Sequence, residues 1–267
     1  METGSLRKWL KRIAEEPRAR GLDLESAEAT AAHARLIGEK AFLRKLYERY
    51  YAEFARADRD APRGARVEIG SGGGFLDRIV PGLIRLDLRP GAEVDVVASA
   101  LALPFAARSV GAIFMLSVLH HLSDAAAFFA ELDRVLAPGG RIVMIEPYAS
   151  PMSGLVYRLA HHEPFDPEQA DWRIEGRGAM TAANDALPWI VFERDRKRFE
   201  AEFPRLEILR LAPHTISLYT LSGGLSYRSL APGFLFPVIA AAEDLACRLP
   251  WARALASMLT VELRMRG

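Results

Sequence analysis

VEIGSGGGFL, residues 67–76, is the stretch on which the reading of this chain turns. An apolar run ends at Ile69, and Gly70, Gly72, Gly73 and Gly74 follow within five positions. A backbone this bare after a strand permits close approach of a ligand to the main chain. The dinucleotide fingerprint Gly-x-Gly-x-x-Gly would need glycine at position 75, where Phe75 stands. The phosphate-loop pattern would need Gly-Lys-Ser/Thr, and that is missing too. What remains is Glu68-x-Gly70-x-Gly72-x-Gly74, a turn with neither of the common phosphate signatures.

Outward from this turn, short apolar runs alternate with helical segments. The runs are Ala65–Ile69, Leu83–Leu86, Val94–Val97, Gly111–Leu116 and Arg141–Ile145. Helical segments are expected at Gly74–Val80, near Ser99–Ala106 and at Asp124–Leu136. In the last, Ser123 can cap, Asp124 suits the positive end and Pro138-Gly139-Gly140 forms the stop. Such alternation predicts a parallel sheet covered on both faces. Upstream, one helix is expected from about Glu25 to Ala57, with Leu36, Leu43, Tyr47, Tyr50 and Phe54 on its apolar stripe. Downstream, Trp189–Phe203 and Leu235–Leu249 read as helices, and Leu206–Leu211 and Met258–Arg264 as strands. The organisation expected is an N-terminal helical cap (1–60), a ligand-binding core (61–147) and a remainder (148–267) that completes the sheet and adds cap elements.

The composition is that of an ordinary globular protein, 50% hydrophobic and 26% charged, with a net charge of +1. That balance gives no support for nucleic-acid binding. The single Cys247 excludes an internal disulfide and a multi-cysteine zinc site, and points to a reducing compartment. Leu6–Glu16 is too charged for a secretory signal, and no apolar run approaches the ~18 residues of a membrane span. A cytoplasmic location follows as the expectation. His161-His162-Glu163 with Asp166 offers no third ligand at a recognisable spacing, so no metal site is expected.

Asp87 ends the second apolar run, where adjacent strand ends share a crevice. A carboxylate there can accept hydrogen bonds from both hydroxyls of a ribose; its other reading is a turn residue before Arg89-Pro90-Gly91. VEIGSGGGFL, IRLDLRPG, ASALALPFAARSVGAIFMLSVLHHLSD and ELDRVLAPGGRIVMIEP, in that order over about residues 64–147, together resemble a class I S-adenosylmethionine-dependent methyltransferase. The similarity is greatest to the small-molecule group that includes quinone and sterol methyltransferases.

The resemblance implies a Rossmann-like α/β fold with a seven-stranded sheet of order 3-2-1-4-5-7-6, and S-adenosyl-L-methionine as cofactor. It implies that Gly70, Ser71, Gly72 and Gly74 accommodate the methionine part and that Glu68 reaches its amino end. Asp87 would hold the ribose and Leu88 would lie against the adenine. Ser99, followed by Ala100 and Leu101, stands where the family usually places an acidic contact to the adenine amino group. Ser117 would lie near the sulfonium.

A hydroxyl or phenol acceptor must lose a proton, and histidine suits that task near neutral pH. His120 and His121 follow the fourth strand, where an acceptor is expected. Either can be the base, with His121 slightly preferred, or both can cap the loop before Asp124. Glu146 can contact acceptor or simply end the fifth strand. Tyr47, with Tyr50 and Tyr51, can pack over the cofactor mouth or belong to the core.

The acceptor is expected to be small, and apolar or lipid-like. Leu6–Glu16 is basic and amphipathic, as a membrane-surface helix would be, and residues 229–242 are unusually apolar. Burial against the sheet or in a homodimer is the simpler reading of both features. The expected acceptor pocket lies under a cap of residues 147–188 and 229–242. Two other classes are a non-catalytic S-adenosylmethionine-binding partner or regulatory protein, and a protein or RNA methyltransferase. The second lacks an Asn-Pro-Pro-Tyr-type motif after the fourth strand, where MLSVLHHL stands.

Overall fold

The computed structural model describes residues 14–23, 26–160, 164–174 and 183–267. Most of the basic N-terminal helix expected at Leu6–Glu16, and His161-His162-Glu163, lie outside them. Seven strands form one sheet: β1 (Ala65–Ile69), β2 (Leu83–Asp87), β3 (Val96–Val97), β4 (Val110–Leu116), β5 (Leu136–Pro147), β6 (Leu206–His214) and β7 (Met258–Met265). The order is 3-2-1-4-5-7-6, with β7 antiparallel to both β5 and β6 and the other pairs parallel. Buried on both faces, β4 is an uninterrupted apolar run, as a central parallel strand must be.

Strand periodicity divides the core into two layers. Ile113, Met115, Ile142 and Met144 face one side, where α3 (Ala125–Val135) supplies Phe128, Phe129 and Leu132. Phe192 and Phe199 close that layer from a helix that starts at Leu187–Trp189, passes through a π turn at Ile190–Arg194 and continues as α5 (Arg196–Glu202). Ala112, Phe114, Val143 and Ile145 face the other side, under Leu46, Tyr50 and Phe54 of α2 (Ala41–Asp58). Three further helices are α4 (Pro151–Ala160), α6 (Leu218–Ser222) and α7 (Phe236–Ala246).

Several local expectations change. The upstream helix is two helices, α1 (Ala27–Glu39) and α2, broken at Lys40. Lys40 has an extended backbone, and its buried ammonium donates to the carbonyls of Gly224 (2.5 Å) and Tyr227 (2.6 Å). That anchorage outweighs helix continuity. Asp124, not Ser123, caps α3, its carboxylate accepting from the Ala127 N–H at 2.9 Å. Pro138-Gly139-Gly140 does not form a loop but lies inside β5, which pairs with β4 through a register shift there. Gly74–Val80 forms only a 3₁₀ turn at Leu76–Arg78, because Pro81 and the left-handed Gly82 leave too little chain for an α-helix.

Candidate active site

The sheet reverses its winding direction between β1 and β4, and a crevice opens outside the carboxyl ends of these strands. Three residues around it hold a left-handed backbone: Gly70 (φ 70°), Gly72 (φ 47°) and Ser117 (φ 56°). The Gly70 and Ser71 N–H groups donate to the Leu86 carbonyl at 2.8 and 3.2 Å, which folds the turn back over β2. The glycines have separate tasks. A Cβ at Gly70 would meet Val118 at 2.5 Å, and one at Gly73 would meet the Ala34 backbone of α1 at 2.5 Å. A Cβ on Gly74 would collide with the Tyr51 hydroxyl. Only at Gly72 would a Cβ find open space, its nearest neighbour 3.9 Å away. Gly73 and Gly74 therefore serve the close approach of the N-terminal helices, and Gly72 is the glycine that leaves room for a ligand.

Asp87 is buried and binds the turn to the strand end. One carboxylate oxygen accepts from the Gly72 N–H (3.0 Å) and the other from the Arg89 N–H (3.1 Å). Each oxygen keeps a further lone pair for a ligand hydroxyl. Glu68 is 3% exposed, and its Oε2 has no hydrogen-bond partner. Burial, reinforced by Asp77 and Asp87, pushes its carboxyl up to about 8. A buried carboxyl with one oxygen lacking a donor suits an incoming ammonium. Across the crevice, Ser99 Oγ accepts from the Leu101 N–H at 3.1 Å, which fixes the 99–101 turn.

The loop after β4 is held from beneath by Glu146, which is fully buried. Glu146 Oε1 accepts from the Val118 and Leu119 N–H groups, both at 2.9 Å, and Oε2 lies 2.8 Å from His120 Nδ1. The other nitrogen of His120, Nε2, faces Asp185 at 3.7 Å. His120 is thus buried between two carboxylates. The His121 ring packs on it, with centroids 4.1 Å apart, and is only half-buried.

These groups border one cavity of about 590 Å³, within the range of cofactor and small-molecule sites. Its wall takes in Glu68, Gly70, Ser71, Gly72, Gly74, Asp87, Leu88, Ser99, Ala100, Leu101 and Ser117, together with Tyr47, His120 and His121. Glu146 does not reach the wall. Beyond the glycine turn the lining is mainly apolar, from Ile37, Leu43, Leu46, Leu225 and Met258. Tyr47 stacks on Phe75, and burial pushes its phenol well above the ordinary value.

The cap over this cavity differs from the one expected. Residues 229–242 do not line it: Phe236 instead packs against Phe42, with ring centroids 5.1 Å apart. Among the described residues of 147–188, Pro147 and Asp185 reach the wall. The cover comes from α1, α2 and the segment around Tyr219, Gly224 and Leu225. His33, Arg89, Tyr219 and Leu225 are wall residues that the sequence pattern did not single out. Arg89 arrives beside Asp87 and Leu88, whereas His33, Tyr219 and Leu225 reach the cavity through long-range packing that no local spacing encodes. Among the described residues, no group of three or more His, Cys, Asp or Glu side chains could hold a metal.

Residues 67–144 match a family model described as a methyltransferase domain. The fold is also that of solved methyltransferases. Geranyl diphosphate C-methyltransferase from Streptomyces coelicolor A3(2), in complex with Mg²⁺, geranyl diphosphate and S-adenosyl-L-homocysteine, is 18% identical, with a TM-score of 0.51 over 94% of this chain and 89% of that one. A geranyl diphosphate methyltransferase in complex with S-adenosylmethionine is 16% identical, with a TM-score of 0.52 over 94% and 96% of the two chains. No curated protein sequence matches this chain.

Proposed function

We propose that this chain, a class I S-adenosylmethionine-dependent methyltransferase by its domain and sheet order, methylates a small apolar or lipid-like acceptor. One observation supports the acceptor class: the wall of the cavity that Glu68, Gly72 and Asp87 border also includes Leu43, Leu46, Tyr47, Leu225 and Met258. Burying an acceptor there contributes about 25 cal/mol per Å² of apolar surface, which positions a molecule with few polar handles.

The residues present fit the cofactor. In this reading Gly72 gives room for the methionine part, Glu68 offers a buried carboxyl with one unpartnered oxygen to its amino group, and Asp87 offers two oxygens to the ribose. When bound, the cofactor supplies an electrophilic methyl group on sulfur. Ser117, which follows β4, would lie beside that position in this reading, and its N–H donates to the Ile145 carbonyl at 2.8 Å. The protein's task is then to hold the acceptor atom in line with the methyl at ~3–3.5 Å and to exclude water.

His121 takes the acceptor's proton in this reading, being the half-buried ring on the cavity wall. His120, flanked by Glu146 and Asp185, positions the loop that carries it. Replacing His121 with Ala should lower kcat by about 10²–10⁴-fold and leave S-adenosylhomocysteine binding intact. Equal losses in both would assign His121 to the cofactor site.

Transfer of labelled methyl to a homologous series of alkyl-substituted phenols tests the acceptor class. Each added methylene contributes about 0.8 kcal/mol, so kcat/KM should rise about fourfold per methylene until the compartment is full. A series that shows no rise, or a preference for small charged acceptors, would overturn the apolar class.

A further inference from the structure

Helix α7 is built inside out. Its buried face carries Phe236, Ala240 and Glu243. The Glu243 carboxylate turns inward to cap α6, accepting from the N–H groups of Ser217 (2.7 Å) and Leu218 (3.1 Å) and from the Ser217 hydroxyl. The opposite face, at helical spacing, is apolar and open. Val238 is 69% exposed and Leu245 64% exposed, with Ala242 between them. Phe234, 76% exposed, precedes this stripe, and exposed Leu249 and Trp251 follow it. Isolated exposed apolar residues are unremarkable, but a contiguous row on one helix marks an interaction surface.

The charge around the row selects the partner. Residues 228–254 hold only two acids. Glu243 is buried and Asp244 is ion-paired with Arg49. Arg228 and Arg248 are exposed, while Arg253 pairs with Glu193. Ala14 and Glu15 lie against Arg228 and Tyr227, which lead into this region. Ala14 accepts at its carbonyl from the Arg228 N–H (2.9 Å), and Glu15 bridges to Tyr227. Just before Ala14 the sequence runs through Arg7, Lys8, Lys11 and Arg12, interleaved with Leu6, Trp9, Leu10 and Ile13. Apolar side chains, a tryptophan and basic residues without an uncompensated acid are what an anionic bilayer surface recognises.

We propose that the outer face of α7, with Phe234, Leu249 and Trp251, docks on a membrane surface bearing anionic lipid. The inference rests in part on the apolar-acceptor reading, which it extends by naming where such an acceptor is met. The segment 224–230 carries both Leu225 on the cavity wall and Leu230, which is 67% exposed.

Co-sedimentation of the full chain with vesicles of phosphatidylcholine, with and without phosphatidylglycerol, tests the proposal without any turnover. The wild type should bind the phosphatidylglycerol vesicles, and more weakly as salt is raised. Val238→Asp and Leu245→Asp should each lower the bound fraction at least tenfold. Leu155→Asp, at an exposed apolar position on α4, should not. Both α7 positions are exposed, so the variants should melt as the wild type does and bind S-adenosylhomocysteine equally in calorimetry. Failure of that calorimetry in the wild type would indict the enzyme reading, not the docking face. Absence of vesicle binding would overturn the proposal. So would a wild-type dimer in light scattering that Val238→Asp converts to monomer, since that would assign the face to a second copy of the chain.

Discussion

Glu68 gives the site a pH signature that can be worked out in advance. Its carboxyl is held at about 8 in the folded protein against an ordinary value of 4.5, mainly by burial. Below 4.5 the group is protonated in both states and costs nothing. Between 4.5 and about 8 the unfolded chain ionises Glu68 while the native chain keeps its proton, so stability falls as pH rises through that window. At about 1.4 kcal/mol per pH unit the full loss has a ceiling of about 5 kcal/mol. Glu68→Gln removes this dependence but buries an amide at a cost of about 1–3 kcal/mol. Its net gain above pH 8 should therefore be about 2–4 kcal/mol in chemical denaturation, with none at pH 4. Binding should show the converse. An ammonium beside Glu68 favours the carboxylate, so the wild type should release about one proton on taking up S-adenosylhomocysteine near neutral pH. Calorimetry in buffers of different ionisation enthalpy reads that release, and Glu68→Gln should abolish it while weakening binding. A variant that tracks the wild-type stability curve from pH 4 to pH 9, or that releases the same proton, would refute the assignment of Glu68 to the amino group.

Asp87→Ala should weaken S-adenosylhomocysteine at least tenfold by calorimetry, because hydrogen bonds to a charged group are worth about 1.5–3 kcal/mol each. It should also lower the melting temperature, because the Gly72 and Arg89 N–H groups lose their acceptor. Gly74→Ala should destabilise the chain by about 1–3 kcal/mol through overpacking. Tyr51→Phe, which removes the colliding hydroxyl, should recover part of that loss in the double variant by denaturant titration. Burial lowers the Lys40 ammonium from 10.5 to about 8, so between these values the unfolded chain holds the extra proton and this residue's contribution to stability rises with pH. Lys40→Met should flatten that rise in pH-dependent melting.

The strands were legible because their periodicity is local. β4 is apolar throughout since both faces are covered, and β1 ends at the glycine turn as its sequence requires. Features set by distant packing were not legible. The break at Lys40 depends on two carbonyls roughly 180–190 residues away. Pro138-Gly139-Gly140 looks like a stop, yet the register shift against β4 accommodates it within β5. The glycine turn was read as a single ligand cradle, but Gly73 and Gly74 are small because Ala34 and Tyr51 come close. The apolar run at 229–242 was placed on the acceptor pocket. Its hydrophobicity is real, but α7 turns Glu243 inward and much of that apolar surface outward. Of the cavity wall, Gly70, Asp87 and Ser117 stand at strand ends, where the order of apolar runs in the sequence puts them. The rest of the wall is assembled from α1, α2 and residues 219–225, whose meeting is a tertiary event.

The central claim is that one cavity holds S-adenosylmethionine on Glu68, Gly72 and Asp87 and leaves an apolar compartment for the acceptor. A crystal structure with S-adenosylhomocysteine bound tests it most directly. The account predicts both ribose hydroxyls on Asp87, the amino group at Glu68, the sulfur beside Ser117, and an open compartment between Tyr47, Leu225 and His121. A ligand seated away from Asp87, or a compartment closed by its own side chains or lined by charge, would contradict it.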